Sequence, residues 1–167
     1  TMMEMRDRGL TGLGEIQAIL EHYQMDLQNE VRRVLQDPIC VEEAIACAEE
    51  RIYSAASWIC KLRQSNLKAL ILIIARNAAK SLQKSKDCMF NPLGEDQDLI
   101  LHDLEQRSFP YLPKLRSNYQ DVIVLKYYFE LPNPVIGTLL GISEKNVCIR
   151  IYRAKKRIQE LIEQERA

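Results

Sequence analysis

Apolar residues recur at three- and four-residue steps along most of the chain, which is the spacing of one face of an α-helix. From Glu15 to Leu35 the stripe reads Ile16, Ile19, Leu20, Tyr23, Leu27, Val31 and Val34. Asp37-Pro38 is expected to end this helix, because proline cannot continue it and restrains the residue before it. A second helix is expected from near Val41, with the stripe Val41, Ala44, Ile45, Ala48, Ile52, Ala55, Ile59 and Leu62. Gln64-Ser65-Asn66 makes the next break, and Ser65 or Asn66 can cap a third helix running to about Lys84. Leu67 to Ala75 is apolar nearly all round, the pattern of a buried bundle centre, with Trp58 also expected inside. Beyond it the helix turns polar and basic: Arg76, Asn77, Lys80, Lys84 and Lys86.

Asp87 to Gln97 has no period and holds Asn-Pro, a glycine and several acids, so it reads as a linker. A short amphipathic helix is expected at about Asp98 to Arg107. Pro110 and Pro113 bracket a short helical stretch. Ser117 or Asn118 then opens a helix that turns Val122, Leu125 and Phe129 inward. Asn133 as cap with Pro134 at the first helical position starts a short helix, Pro134 to Leu140, stopped by Gly141. Ser143 caps a last helix with the stripe Val147, Ile151, Ala154, Ile158 and Leu161. Clusters such as Val122-Ile123-Val124 fall inside these helical periods, and no strand is expected. The pattern therefore predicts an all-α chain of two small helical domains, residues 14–86 and 104–167, joined by a linker at 87–103. The two blocks should fold separately around a protease-sensitive Asp87–Gln97.

Composition narrows the function. The 167 residues carry 23 Lys+Arg and 23 Asp+Glu, a neutral sum that speaks against nucleic acid until it is divided. Residues 1–86 carry 12 basic and 11 acidic side chains, 87–141 carry 4 and 8, and 142–167 carry 7 and 4. In the last block Lys145, Arg150, Arg153, Lys155, Lys156 and Arg157 face one acid, Glu144, a local electrostatic footprint. The longest apolar run, Ala69 to Ala75, is far shorter than the ~20 residues that span a bilayer. Met-Glu-Met-Arg-Asp-Arg has no apolar stretch behind it, so no signal peptide is expected. Five cysteines (Cys40, Cys47, Cys60, Cys88, Cys148) without a C-x-x-C read as reduced, mostly buried thiols of a cytoplasmic protein. With only His22 and His102 beside them, no metal site is expected, and no cofactor. No catalytic constellation and no phosphate-cradling glycine loop stands out, so the chain is read as no enzyme.

Val135 to Val147 gives a short helix, a Gly141 turn, a Ser143 cap and a longer basic helix. This is a helix-turn-helix pattern, with Gly137 placed where two helices would cross closely. Ser143, Glu144, Lys145 and Asn146 would lie at the groove-facing end. Arg150, Arg153, Lys156 and Arg157 follow along the helix, within reach of phosphates or base edges. A solvated basic face on an amphipathic helix gives the same pattern.

Leu112 to Leu161 resembles the C-terminal domain of sigma factors of the extracytoplasmic-function type. That family reads Leu-Pro, a helix ending in Leu-x-Tyr, then a helix-turn-helix closing in Val-x-x-Arg-x-x-Arg-Ala-Arg/Lys. Val147, Arg150, Arg153, Ala154 and Lys155 stand in those places. Asp37-Pro38 with Val41-Glu42-Glu43-Ala44 is similar to the acidic helix start of the family's other domain, and Ile74-Ala75-Arg76-Asn77 to its Ile-Ala-Arg-Asn signature. Cys148 and Ile149 depart from it, standing where a basic and a small polar residue are usual. The resemblance implies binding to the RNA polymerase core and promoter recognition. Ser143, Glu144, Lys145, Asn146, Arg150, Tyr152, Arg153 and Lys156 would meet the upstream promoter element. Arg76, Asn77, Lys80 and Lys84 would meet the strand-separated region. Glu42, Glu43, Glu49 and Glu50 would dock on polymerase, and an anti-sigma factor is a further partner the resemblance admits. Other readings stay open. Arg76 and Asn77 can pair with acids of a neighbouring helix, Glu42 and Glu43 can serve the helix dipole, and Tyr127, Tyr128 and Phe129 suit core and rim. The whole can be a sigma-like DNA-binding regulator of phage or mobile-element type, or a protein-interaction module.

Overall fold

A computed structural model of the chain describes residues 14–86 and 110–167, with the side chains of residues 64, 85 and 86 excepted. The linker, the helix expected at 98–107, His102 and Cys88 lie outside the described residues. The described residues are mostly helical, joined by short turns, with no strand among them. Residues 14–86 lie in one compact unit, and residues 110–138 with 142–167 in a second.

In the first unit, α1 covers residues 14–22 and α2 covers Gln24–Val34. The single stripe predicted from Glu15 to Leu35 is thus interrupted at Tyr23, although Leu27 N–H still donates to the Tyr23 carbonyl at 2.9 Å. Helix α3, Pro38–Ser54, starts earlier than the expected Val41: Asp37 accepts from the Ile39 N–H at 3.0 Å and Pro38 takes the first position. Proline is suited there because its missing N–H would have no partner anyway. The second helix also breaks sooner, at Ala55, and resumes as α4, Ala56–Ile59. Ala55 and Ile59, both on the expected stripe, stay buried across the break, while Trp58, expected inside, lies off that stripe and is 39 % exposed with Lys61 Nζ 5.2 Å from its ring centre.

Helix α5, Gln64–Lys86, packs against both α2 and α3. Leu67 and every residue from Ala69 to Ala75 are buried, as an all-round apolar segment requires. The cysteines depart from the expectation of reduced thiols throughout. Cys40, in the first turn of α3, is disulfide-bonded, whereas Cys47, Cys60 and Cys148 are free, and of these Cys47 and Cys60 are half-buried and Cys148 is exposed rather than buried. Burial raises the Cys60 thiol pKa above its ordinary value. The charge of Glu15 and a hydrogen bond to that carboxylate push it the same way.

The second unit begins with a 3₁₀ turn, Leu112–Lys114, followed by α6, Ser117–Ile123, and a π-turn, Val124–Tyr128. Val122, Leu125 and Phe129 are buried as expected, leaving Tyr127 exposed at the rim. Helix α7, Asn133–Leu140, leads through Gly141 to α8, Glu144–Arg166. Val147, Ile151, Ala154 and Leu161 of α8 are buried, and α6 packs along α8.

Candidate nucleic-acid interface

The turn between α7 and α8 is built by two glycines. Gly141 has φ +67°, and the Ile142 N–H donates to the Gly137 carbonyl at 3.0 Å. That is the six-to-one bond of a helix ending in a left-handed residue, a conformation cheap only without a Cβ. At Gly137 a Cβ would lie 2.7 Å from the Ile142 carbonyl oxygen. The close crossing predicted there is present, and it sets how α8 leaves the turn. The Ser143 hydroxyl then accepts from the Asn146 N–H at 3.1 Å and caps α8.

With 3.6 residues per turn, α8 divides into four rows. Val147, Ile151, Ala154 and Leu161 face the interior. Lys145, Ile149, Tyr152 and Lys156 form the crown on the opposite side, where Tyr152 is 67 % exposed. Asn146, Arg150, Arg153 and Arg157 run at four-, three- and four-residue steps along one flank. Glu144, Cys148 and Lys155 occupy the other. On that second flank Asn133 Nδ2 donates to Cys148 Sγ at 3.3 Å, and Lys155 Nζ sits 5.1 Å from the Tyr127 ring centre. Of the predicted contacts, Glu144, Lys145, Asn146, Tyr152, Arg153 and Lys156 are exposed and Arg150 is half-buried. Ser143 is exposed too, with its hydroxyl already committed to the cap. A basic flank and crown on one rigid helix, above an apolar underside, can enter a major groove and meet base edges and phosphates.

The residues expected to bind strand-separated DNA are distributed differently. Arg76 is 4 % exposed, Asn77 and Lys80 are half-buried, and Lys84 is exposed. Arg76, Asn77 and Lys80 all take part in interactions within the protein. The Arg76 guanidinium is enclosed in the unit, although its Nε finds no hydrogen-bond partner among the described residues, and reaching DNA would mean leaving the interactions it does make.

The four acids of α3 divide into two pairs. Glu42 and Glu49, seven residues apart, line a groove of about 660 Å³ between α2 and α3, floored by Leu35, Val41 and Ile45. Gln24 Nε2 donates to Glu49 at 3.2 Å. Glu43 and Glu50 lie outside that groove, and both are exposed.

Sequence reasoning left out Lys114 and Arg116, which stand beside Arg153 and Lys156 in the second unit. Their placement depends on Gln120, buried in α6, whose side-chain amide donates to the Leu112 and Leu115 carbonyls, both at 2.9 Å. A lone glutamine in a helical stripe carries no local sign of this. Among the described residues no group of three or more His, Cys, Asp or Glu could hold a metal ion, and no helix is long and apolar enough to cross a membrane.

Residues 111–158 match the family described as Sigma-70, region 4. The match spans the 3₁₀ turn, α6, α7 and most of α8, and so takes in the whole helix-turn-helix. No curated protein matches the chain.

Proposed function

We propose that this protein is a sigma factor, of the extracytoplasmic-function type, that joins the RNA polymerase core and selects promoters, with no chemistry of its own. The observation that carries the reading is the outward face of α8. Lys145, Asn146, Arg150, Tyr152, Arg153 and Lys156 form a continuous surface on a capped helix within a segment that matches sigma-70 region 4. In the proposed mechanism the N-terminal end of α8 enters the major groove of the upstream promoter element. Asn146 and Arg150 stand at base edges, with arginine suited to guanine and asparagine to adenine. Arg153 and Lys156 hold phosphates, which fix register without reading sequence.

The first unit would meet polymerase. The α2–α3 groove presents Glu42 and Glu49 above an apolar floor, an arrangement that suits a basic, partly apolar helical surface. Lys84, exposed near the end of α5, is the residue of its set best placed to follow melted DNA. Free protein should bind DNA weakly, because the chain as a whole is neutral and polymerase would supply much of the contact. Domain limits of 14–86 and 104–167 belong to this proposal, as do a cytoplasmic location and control by an anti-sigma factor.

In vitro transcription with bacterial core polymerase on a genomic template library, followed by sequencing of the transcript starts, tests the reading. Clustered starts that depend on this protein support it. A second reading is a DNA-binding regulator that never joins polymerase: the segment that matches the family, residues 111–158, is the one that carries the DNA-facing helix. Co-purification with core polymerase at modest salt separates the two, and its absence would favour the regulator.

A further inference from the structure

The flank of α8 that carries Asn146 and Arg150 does not end at the helix-turn-helix. It runs on into a groove of about 500 Å³ in which Arg153, Lys156 and Arg157 of α8 face Lys114 and Arg116 from the start of the unit. Tyr119 and Glu160 complete the lining. Five cations thus converge on one acid from two separate stretches of chain. Arg157 donates to Glu160 at 3.1 Å, and Lys114 lies 3.5 Å from Glu165 outside the groove. Among the described residues no acid pairs with Arg116, Arg153 or Lys156.

The cations from the first stretch are held in place. Leu112 and Leu115 are buried, and the Gln120 amide, itself only 4 % exposed, ties both of their carbonyls to α6. Lys114 and Arg116, on either side of Leu115, are therefore turned outward by a fixed backbone. Like charges gathered this way repel one another unless an anion joins them.

Distance along α8 indicates which anion. Ser143 to Lys156 is thirteen residues, about 20 Å at the helical rise, whereas the major groove is about 12 Å wide. With the N-terminal end of α8 at the base edges, Lys156 and Arg157 lie past the wall of the groove, where the flanking strand carries its phosphates.

We propose that this groove is a clamp for the DNA backbone. Lys114 and Arg116, which lie outside the helix-turn-helix, would grip the flanking strand together with Arg153, Lys156 and Arg157. This rests on the promoter-binding reading above and adds to it a second element that touches DNA. Arginine's planar fork can hold two phosphate oxygens at once, and Tyr119 can add a hydroxyl contact. The clamp would fix the register of α8 without reading sequence. Glu165, which accepts from Tyr111 at 2.7 Å and faces Lys114, would compete with the phosphate for that lysine.

The full chain, titrated with a fluorescent duplex of mixed sequence at ~50–200 mM salt, tests the clamp. Lys114→Ala with Arg116→Ala should weaken binding and flatten the log–log salt slope by about 1 to 2, since each phosphate contact contributes about 0.9. The loss should be the same on unrelated duplexes. Glu165→Gln should tighten binding severalfold, a gain that misfolding cannot mimic. If the wild-type chain binds and both variants keep its slope and affinity, the clamp is wrong while the DNA-binding reading stands. If the wild-type chain binds no duplex even at low salt, both fall. If the double variant keeps its DNA slope and instead loses core polymerase, the groove holds an acidic protein surface and the clamp is overturned.

Discussion

Helices α5 and α8 are each 23 residues long, and each carries a row of basic side chains toward its middle. Their surroundings are opposite. Helix α5 is enclosed by α2 and α3, so that even Arg76 is taken inside. Helix α8 buries one stripe and leaves most of its crown and flanks exposed, with Ile149, Arg150 and Arg157 half-buried. Equal length and similar charge thus serve different ends. The buried helix organises a unit, while the half-buried one presents a surface. Basic residues in sequence are therefore poor evidence of a nucleic-acid contact until the packing around them is known.

Stability should separate the two helices most. Ile71 is fully buried in α5, and Ile71→Ala is expected to cost about 2–5 kcal/mol in chemical denaturation. Tyr152→Ala on α8 should stay within about 0.5 kcal/mol, since an exposed side chain away from special contacts contributes little. Similar losses from the two would erase the contrast.

The turn that aims α8 comes next. Gly137→Ala would press a Cβ against the Ile142 carbonyl oxygen. Backbone crowding of this kind costs about 1–3 kcal/mol, which should exceed the gain of about 1 kcal/mol that alanine brings to a helix. The net expectation is a lowered Tm together with weakened DNA binding. A higher Tm would show that the crossing has room to relax.

The smallest effect concerns Cys60. Its raised thiol pKa means that the folded state holds the proton more tightly than the unfolded chain does. The stability this confers is present below the ordinary thiol value and is lost as pH rises through the folded value. Cys60 should therefore be alkylated slowly near neutral pH. Glu15→Gln removes the carboxylate charge, one cause of the shift, and should speed alkylation severalfold, read by mass spectrometry. An unchanged rate would leave burial as the sole cause.

Much of the fold was legible because each signal was local. The stripes of α2, α3 and α8, the Ser143 cap, the Gly137 crossing and the Gly141 turn all follow from residues a few positions apart. What was not legible depended on partners distant in sequence or on register. Trp58 turns outward because it lies off the stripe that Ala55 and Ile59 continue, so its apolar bulk was a weaker guide than its position on the helix. Arg76 is covered by packing across the bundle, and a helical period cannot distinguish an inward polar end from an outward one. The outward face of α8 was visible as a charge imbalance hidden under a neutral total. Lys114 and Arg116 were missed because Gln120 joins them to that face from within α6.

The central claim is that promoter recognition resides on the outward face of α8. Transcription with core polymerase, comparing wild type, Arg150→Ala with Arg153→Ala, and Lys84→Ala, tests it most directly. At about 1–3 kcal/mol for each arginine contact, the double variant should lose more than about tenfold of the promoter-specific transcript while its circular dichroism is unchanged. Lys84→Ala should lose less. Undiminished transcript from the double variant would contradict the claim, as would a greater loss from Lys84→Ala.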